Sequence, residues 1–368
     1  MPDLSSIDAD TLAGWLESGK DVSILDVRPI SERSEWFIPQ SLYTDAYSKL
    51  KLKDRTALKG VHLEKSTPVI TVCAAGNTSR IAAEMLRSEG YDAYSLADGM
   101  KGWSLAWNRA DLDFHDYTII QLRRTGKGCL SYIIVSGKDA IVVDASLSTE
   151  VYERILQENN WKLKAIMETH IHADHLSRSK QLADHLVAPL RLPVPNKVSF
   201  IYDRMEDGQI VHLGKISIKV FATPGHTVES VCFLVNDEVL LTGDTVFTNA
   251  VGRPDLKASK EETEKRAGLL YDSLQMIMQL NENIIVLPAH TNAPVDFDRK
   301  PIAATIGEIK KTVQILQLPK SDFIKTILDK LPPAPANHLA IVERNLLGNI
   351  SDINPIDLEA GANRCAVL

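Results

Sequence analysis

Thr169-His170-Ile171-His172-Ala173-Asp174-His175 is the stretch on which the fold turns. The apolar run Leu163–Glu168 ahead of it predicts a buried strand, and apolar residues at helical spacing from Leu176 to Leu186 predict a helix behind it. The polar residues therefore fall where a strand ends and a helix begins, the edge of an open α/β sheet at which ligands bind. Three imidazoles and a carboxylate within six residues make a poor core and a good transition-metal site.

Further donors close apolar runs downstream. Thr223-Pro224-Gly225-His226-Thr227 follows the alternating segment Ile216–Phe221, Leu240-Leu241-Thr242-Gly243-Asp244 ends on an aspartate, and Ile284–Ala289 runs into His290. Several strands thus deliver donors to one edge. HxHxDH followed by His, Asp and His resembles the metallo-β-lactamase superfamily over roughly residues 113 to 318.

Composition bounds the rest. A chain of 368 residues predicts two domains, and 44% hydrophobic with 24% charged residues is ordinary for a globular protein. A net charge of −7 without any Lys/Arg-rich run speaks against nucleic acid. No apolar run reaches spanning length, and Met1–Ser6 lacks a signal-peptide pattern, so the expectation is a cytoplasmic protein away from membranes. Four scattered cysteines, Cys73, Cys129, Cys232 and Cys365, form neither a disulfide framework nor a zinc-knuckle spacing.

The first hundred residues read as a separate unit. A short helix is expected from Ser6 to Leu16, then strands at Val22–Arg28, Pro68–Val72 and Ala93–Leu96, the second followed by a helix to about Ser88. Alternating strands and helices predict a small parallel α/β domain. Cys73 sits between strand and helix, and Ala74, Ala75, Gly76, Asn77, Thr78 and Ser79 form its loop. Loop and helix N–H groups converging on the sulfur would stabilise a thiolate or a persulfide anion. Asp26-Val27-Arg28, Cys73-x-x-Gly76-Asn77-Thr78-Ser79 and Gly99-Met100-x-Gly102-Trp103 together resemble the rhodanese (sulfurtransferase) domain over residues 1 to 110. Related phosphatases carry Arg six positions after the cysteine; here Ser79 stands there and the arginine comes one later. Ala74 and Ala75 also replace the basic residues that often meet thiosulfate.

The expected architecture is therefore α/β: a rhodanese-like parallel domain (1–110), a metallo-β-lactamase-type αββα sandwich (113–318) and a C-terminal extension packed on the body (319–368). Asn108–Asp111 is the expected linker, with strands at Thr118–Leu122, Leu130–Val135 and Ala140–Asp144 after it, and a helical stretch at Ala303–Leu316 near the end.

Two metal chemistries are open. In the superfamily's binuclear zinc hydrolases, such as the glyoxalase II type, one zinc would sit on His170, His172 and His226, the other on Asp174, His175 and His290, with Asp244 bridging. The persulfide dioxygenase branch, the ethylmalonic encephalopathy protein type, binds a single Fe(II), carried over here onto His170, His226 and Asp244. His172, Asp174, His175 and His290 would then orient these ligands. Gly252-Arg253-Pro254-Asp255-Leu256, Leu331–Asn337 and the ending Ala360–Val367 resemble that branch and its rhodanese fusions. The resemblance implies oxidation of a small thiol persulfide, glutathione persulfide or similar, by O₂ to sulfite and thiol. A sulfane-sulfur donor or sulfite would be the partner of Cys73, and a homo-oligomer is compatible with it.

Arg253 is a candidate anchor for a substrate carboxylate, balanced against a plain ion pair with Asp255. Cys129 and Cys232 lie in apolar runs and are expected in the core, and Cys365 is expected to be a mobile, inert thiol. His62, His115, His185, His212 and His338 fall outside the motifs.

Overall fold

The computed structural model describes residues 5–194, 198–335, 337–361 and 364–367. Of the expected features, Met1–Leu4, Ala336, Ala362 and Asn363 lie outside the described residues.

The first domain is a five-stranded parallel sheet in the order Ser6–Ile7, Ala93–Leu96, Val69–Val72, Ser23–Asp26, Leu42–Tyr43. Its central strands are apolar on both faces because helices cover both. Leu12, Ile70, Leu96 and Trp103 pack on one side, and Val69, Ala82, Ala83 and Leu86 on the other. The expected helix at Ser6 begins later. Ser6–Ile7 is an edge strand in register with Ser95 and Leu96, and the helix runs Ala9–Glu17 with the Asp8 carboxylate accepting the Thr11 N–H at its start.

The second domain is a sandwich of two sheets. The first has seven strands, ordered Asp203–Arg204, Leu190–Leu192, Lys162–Met167, Asp139–Val143, Leu130–Ser136, Thr118–Arg123, Asn108–Asp113. The second has six, ordered Ile210–Leu213, Ile216–Ala222, Val231–Val235, Val239–Gly243, Ile285–Pro288, Ala304–Thr305. Ile119, Ile134, Val143 and Met167 of the first sheet meet Ile218, Phe233, Leu241 and Leu287 of the second. Helices Thr149–Glu158 and Ser179–Leu186 cover one outer face, and Lys260–Met278, Ile306–Thr312 and Lys320–Asp329 the other. This is the expected αββα arrangement.

Three local expectations change. Asn108–Asp111, expected as a linker, opens the edge strand Asn108–Asp113, paired residue for residue with Thr118–Arg123. Its outer face stays exposed, so it lacks the apolar run that marks a buried strand. The helix expected from Leu176 starts only at Ser179, because Glu168–Arg178 forms a loop carrying the imidazoles. The helical stretch at 303–316 divides into a short strand, helix Ile306–Thr312 and a 3₁₀ turn at Gln314–Gln317.

The C-terminal segment packs on the body. Helix Lys320–Asp329 lies against Lys260–Met278, and Ala366–Val367 pairs antiparallel with Val251–Gly252. Phe233 is fully buried between the sheets. Phe233→Ala should therefore cost about 3–5 kcal/mol in denaturant unfolding, from lost transfer energy and a residual cavity. A cost below about 1 kcal/mol would mean that the sheet interface is not close-packed.

Candidate metal centre

Strand ends bring the motif residues together as the pattern predicts. His170 follows Lys162–Met167, His226 follows Ile216–Ala222, Asp244 follows Val239–Gly243 and His290 follows Ile285–Pro288. The last two strands are parallel neighbours, which sets Asp244 beside His290. All seven motif donors are at most 2% exposed.

Within this group more than one set converges, and the first joins three strand ends. Donor atoms of His170, His226 and Asp244 all lie within 4.8 Å of one another, with His170 Nε2 3.8 Å and His226 Nε2 3.4 Å from Asp244 Oδ2. Their other atoms are committed to the chain. The His170 Nδ1–H faces the Thr169 hydroxyl at 2.9 Å, and that hydroxyl donates to Asp144 Oδ2 at 2.8 Å. The His226 Nδ1–H donates to the Arg253 carbonyl at 2.7 Å. Both rings are thereby held with Nε2 turned inward, the tautomer that a metal requires. His170 Nε2 and Asp244 Oδ2 are buried without a hydrogen-bond partner. Buried polar atoms left bare are costly, and a bound cation would satisfy both. The donor chemistry, two imidazoles and a carboxylate, fits a divalent transition metal with further positions open.

Protonation follows the same division. Burial, reinforced by the neighbouring His172, holds His170 well below the usual imidazole range, and burial lowers His226 as well. Burial would push the Asp244 carboxyl up, but His290 and its own hydrogen bond, with His226 and His170, hold it well below the carboxylate range. Two neutral rings and a carboxylate result. His172 differs. Its Nε2 lies 2.9 Å from Glu168 Oε2 and 3.3 Å from Asp144 Oδ1, and these carboxylates outweigh burial to raise it well above the imidazole range. His290 is also raised, against burial, between Asp174 at 2.8 Å and Asp244 at 2.5 Å.

A second group lies on the far side of His290. Cys129, Asp174, His175 and His290 place donor atoms within 4.8 Å of one another. The Cys129 thiol, expected to be a plain core residue, donates to Asp174 Oδ2 at 3.4 Å. Burial and Asp174 push it up, yet His175 and His290 bring it down to about 7. Cys365 is a further correction. It is buried, 1% exposed, and its thiol lies within 4.8 Å of donors on Asp244 and His290. Burial first, then Asp244 and Asp174, raise it well above the usual thiol range, which keeps it protonated. Cys232 is a core residue as expected, raised by burial to about 11.

Arg253 does not face an open substrate site. Its Nε and Nη2 donate to the two Asp255 oxygens at 2.7 and 2.8 Å, and the remaining donors go to the carbonyls of Pro332, Pro333 and Arg364. All five N–H groups are thus spent on the chain, and the ion-pair reading prevails. Gly252 explains the preceding position: a Cβ there would sit 1.8 Å from the Asp244 carbonyl.

In the first domain Cys73 occupies the predicted place, between strand Val69–Val72 and helix Asn77–Ser88. Its sulfur lies 3.2 Å from the Ser79 hydroxyl, itself 2.8 Å from that of Ser95. Burial raises the thiol, but the Ser79 and Thr78 side chains and the N–H groups of Ser79 and Ala75 outweigh it and lower the pKa. Ala74, Ala75 and Asn77 are exposed, whereas Gly76, Thr78 and Ser79 are buried. Met100 and Lys101 donate N–H groups to the carbonyls of Cys73 and Ala74, an approach that requires Gly99, whose Cβ would lie 2.1 Å from the Cys73 oxygen. Lys53, Arg55 and Arg80 line a cleft of about 680 Å³ that also reaches Asn77. Glu84 and Glu89 line the same cleft, so its charge is mixed.

Comparison with known proteins agrees with this division. Residues 124–290 match the metallo-beta-lactamase superfamily and residues 8–106 the rhodanese-like domain. Hydroxyacylglutathione hydrolase of Francisella philomiragia is 31% identical over 223 residues, 54% of this chain and 83% of that protein. Among solved structures, ETHE1 from Myxococcus xanthus aligns with TM-score 0.53 and 26% identity, covering 61% of this chain and 96% of that one. A metallo-beta-lactamase from Staphylococcus aureus gives TM-score 0.59 at 24% identity, over 66% and 75%, a likeness of fold. The chain belongs to the metallo-beta-lactamase superfamily, with a rhodanese-like domain at its N-terminal side. Among the described residues no helix is long and apolar enough to cross a membrane.

The geometry separates two classes of substitution. Asp244→Ala removes one of three converging donors and should abolish metal retention. His290→Ala leaves all three and should weaken metal binding roughly 10- to 100-fold, as loss of an orienting partner does. Equal, complete metal loss in both variants would make His290 a ligand.

Proposed function

We propose that this protein is a persulfide dioxygenase with an attached sulfurtransferase. Its metal centre is a single Fe(II) on His170, His226 and Asp244, and its sulfur-carrying nucleophile is Cys73. One observation carries the reading: the seven motif donors are not equivalent. His170, His226 and Asp244 converge with the second nitrogen of each ring committed to the chain, whereas His172 lies between the Glu168 and Asp144 carboxylates and His290 between those of Asp174 and Asp244. The fold likeness to ETHE1 supports it, since that name belongs to the persulfide dioxygenase branch.

When bound, iron would supply the redox coupling between a sulfane sulfur and O₂. The chain's residues do the rest. Thr169 and Asp144 fix the His170 ring, the Arg253 carbonyl fixes His226, and His290 holds Asp244. A buried site also excludes bulk water from the reacting sulfur. The reaction consumes a thiol persulfide, O₂ and water and releases the thiol, sulfite and two protons. The outer sulfur is oxidised and O₂ is reduced. A glutathione-type thiol suits the relatives named for glutathione thioesters. Cys73 takes a sulfane sulfur from a donor as a protein persulfide and passes it to the small thiol or to sulfite. The setting is a reducing cytoplasm, where four free thiols persist.

A second reading has its own support. Cys129, Asp174, His175 and His290 form a further donor group, and the hydroxyacylglutathione hydrolase relatives point to thioester cleavage at two zinc ions. Incubating the chain with glutathione persulfide in an oxygen-electrode cell separates the two. We expect O₂ uptake with equivalent sulfite and no cleavage of hydroxyacylglutathione; thioester hydrolysis without O₂ uptake would reverse the assignment. Cys73→Ser should abolish sulfur transfer and spare O₂ uptake on preformed persulfide. If it stops that uptake too, the two domains do not divide the work.

A further inference from the structure

The loop carrying three of the imidazoles is not held by the sandwich alone. Its ends are tied to the sandwich backbone, Glu168 to Arg191, Thr169 to Val231 and Arg178 to Ala145. Among the described residues, 170–177 lie between strand and helix without such a bond, so their polar backbone must find partners elsewhere. Two side chains from far along the sequence supply them. Asn345, on helix His338–Leu347, donates both amide N–H groups, to the carbonyls of His172 and His175, each at 2.9 Å. Its carbonyl accepts the Ser177 N–H at 2.8 Å. Glu359, at the end of helix Pro355–Glu359, accepts the Leu176 N–H at 2.5 Å. The same carboxylate is paired with Arg178 at 2.7 Å and Arg124 at 2.7 Å, all three buried. Lys127 donates to the Glu359 backbone carbonyl at 2.7 Å.

We propose that Asn345 and Glu359 are positioning residues of the metal centre: the C-terminal extension clamps the loop from His172 to Arg178 and so fixes His172, whose ring lies 4.2 Å from that of His170, and Asp174, which holds His290 against Asp244. The arrangement has the form of an outer-sphere support, in which polar partners fix the orientation of metal-facing groups. Asn345 spans the turn that contains Asp174, fixing the carbonyls on either side of it, and Glu359 fixes the exit. The burial of both side chains makes each bond costly to leave unmade. No part of the inference depends on whether the centre oxidises sulfur or hydrolyses a thioester.

Cobalt(II) substitution tests it in the full-length protein, because its visible spectrum reports ligand field independently of turnover. Asn345→Leu keeps the branched heavy-atom skeleton and removes all three bonds. It should weaken Co(II) binding roughly 10- to 100-fold in chelator competition and alter the visible bands. Ile327→Ala is the control: Ile327 is buried in the same C-terminal extension but on helix Lys320–Asp329, in the cluster with Leu270 and Leu274 and outside the residues that hold the loop. It should lower the thermal midpoint while leaving Co(II) affinity and spectrum unchanged. Glu359→Gln, which keeps the shape but gives up the charged pairing that holds Arg178 at the end of the loop, should shift the bands in the same direction as Asn345→Leu. Wild-type affinity and spectrum in Asn345→Leu, or equal metal loss in the Asn345 and Ile327 variants, would overturn the proposal. A wild-type chain that binds no Co(II) would overturn both this and the metal-centre reading.

Discussion

Seven titratable side chains packed into one dry edge of a sandwich set the terms for everything around them. A buried charge must be paired, and a buried lone pair must be satisfied, at a cost of several kcal/mol otherwise, roughly. The protein meets that demand unevenly. His172 and His290 are neutralised by carboxylates, and His175 by Asp174 at 3.1 Å. His170 and His226 spend one nitrogen each on the chain and turn the other toward Asp244, at 3.8 and 3.4 Å. That asymmetry marks the coordinating edge and leaves little room for a core reading of the motif.

The same economy runs outward. Asp144 serves both the Thr169 hydroxyl and its N–H, so a strand end on the neighbouring strand fixes the entry of the donor loop. Glu168 takes Ser177 and Ser179 as well as His172. Arg124, Arg178 and Glu359 close the far side as a fully buried triad, and the two guanidinium groups outweigh burial to bring the Glu359 carboxyl down to about 2. The first domain joins through the same region. The Trp36 indole N–H donates to the Thr125 carbonyl at 3.0 Å, and Arg364 pairs with Glu35 at 3.1 Å. Both contacts adjoin segments that deliver Cys129 and Cys365 to the centre.

Much of this was legible in the sequence, for a definite reason. Donors at strand ends sit next to apolar runs, so His170, His226, Asp244 and His290 announce both their element and their edge. Cys73 likewise announces itself between a strand and a helix. What escaped were side chains whose meaning depends on distant backbone. Arg253 resembles a ligand anchor until the carbonyls of Pro332, Pro333 and Arg364 are seen to use its donors. Cys365 looks peripheral until its strand is seen paired with Val251–Gly252, beside Asp244. Asn345 and Glu359 lie about 170 to 180 residues from the loop they hold, a separation no local pattern bridges. Asn108–Asp113 escaped for a different reason: half of an edge strand faces water and reads as a linker.

The central claim is that only three of the seven donors bind metal, and that the metal is iron. Metal analysis of the chain purified without oxygen tests this most directly. The account predicts about one iron per chain and little zinc, as a two-histidine, one-carboxylate site with open positions requires. Two zinc ions per chain, with iron absent, would contradict it.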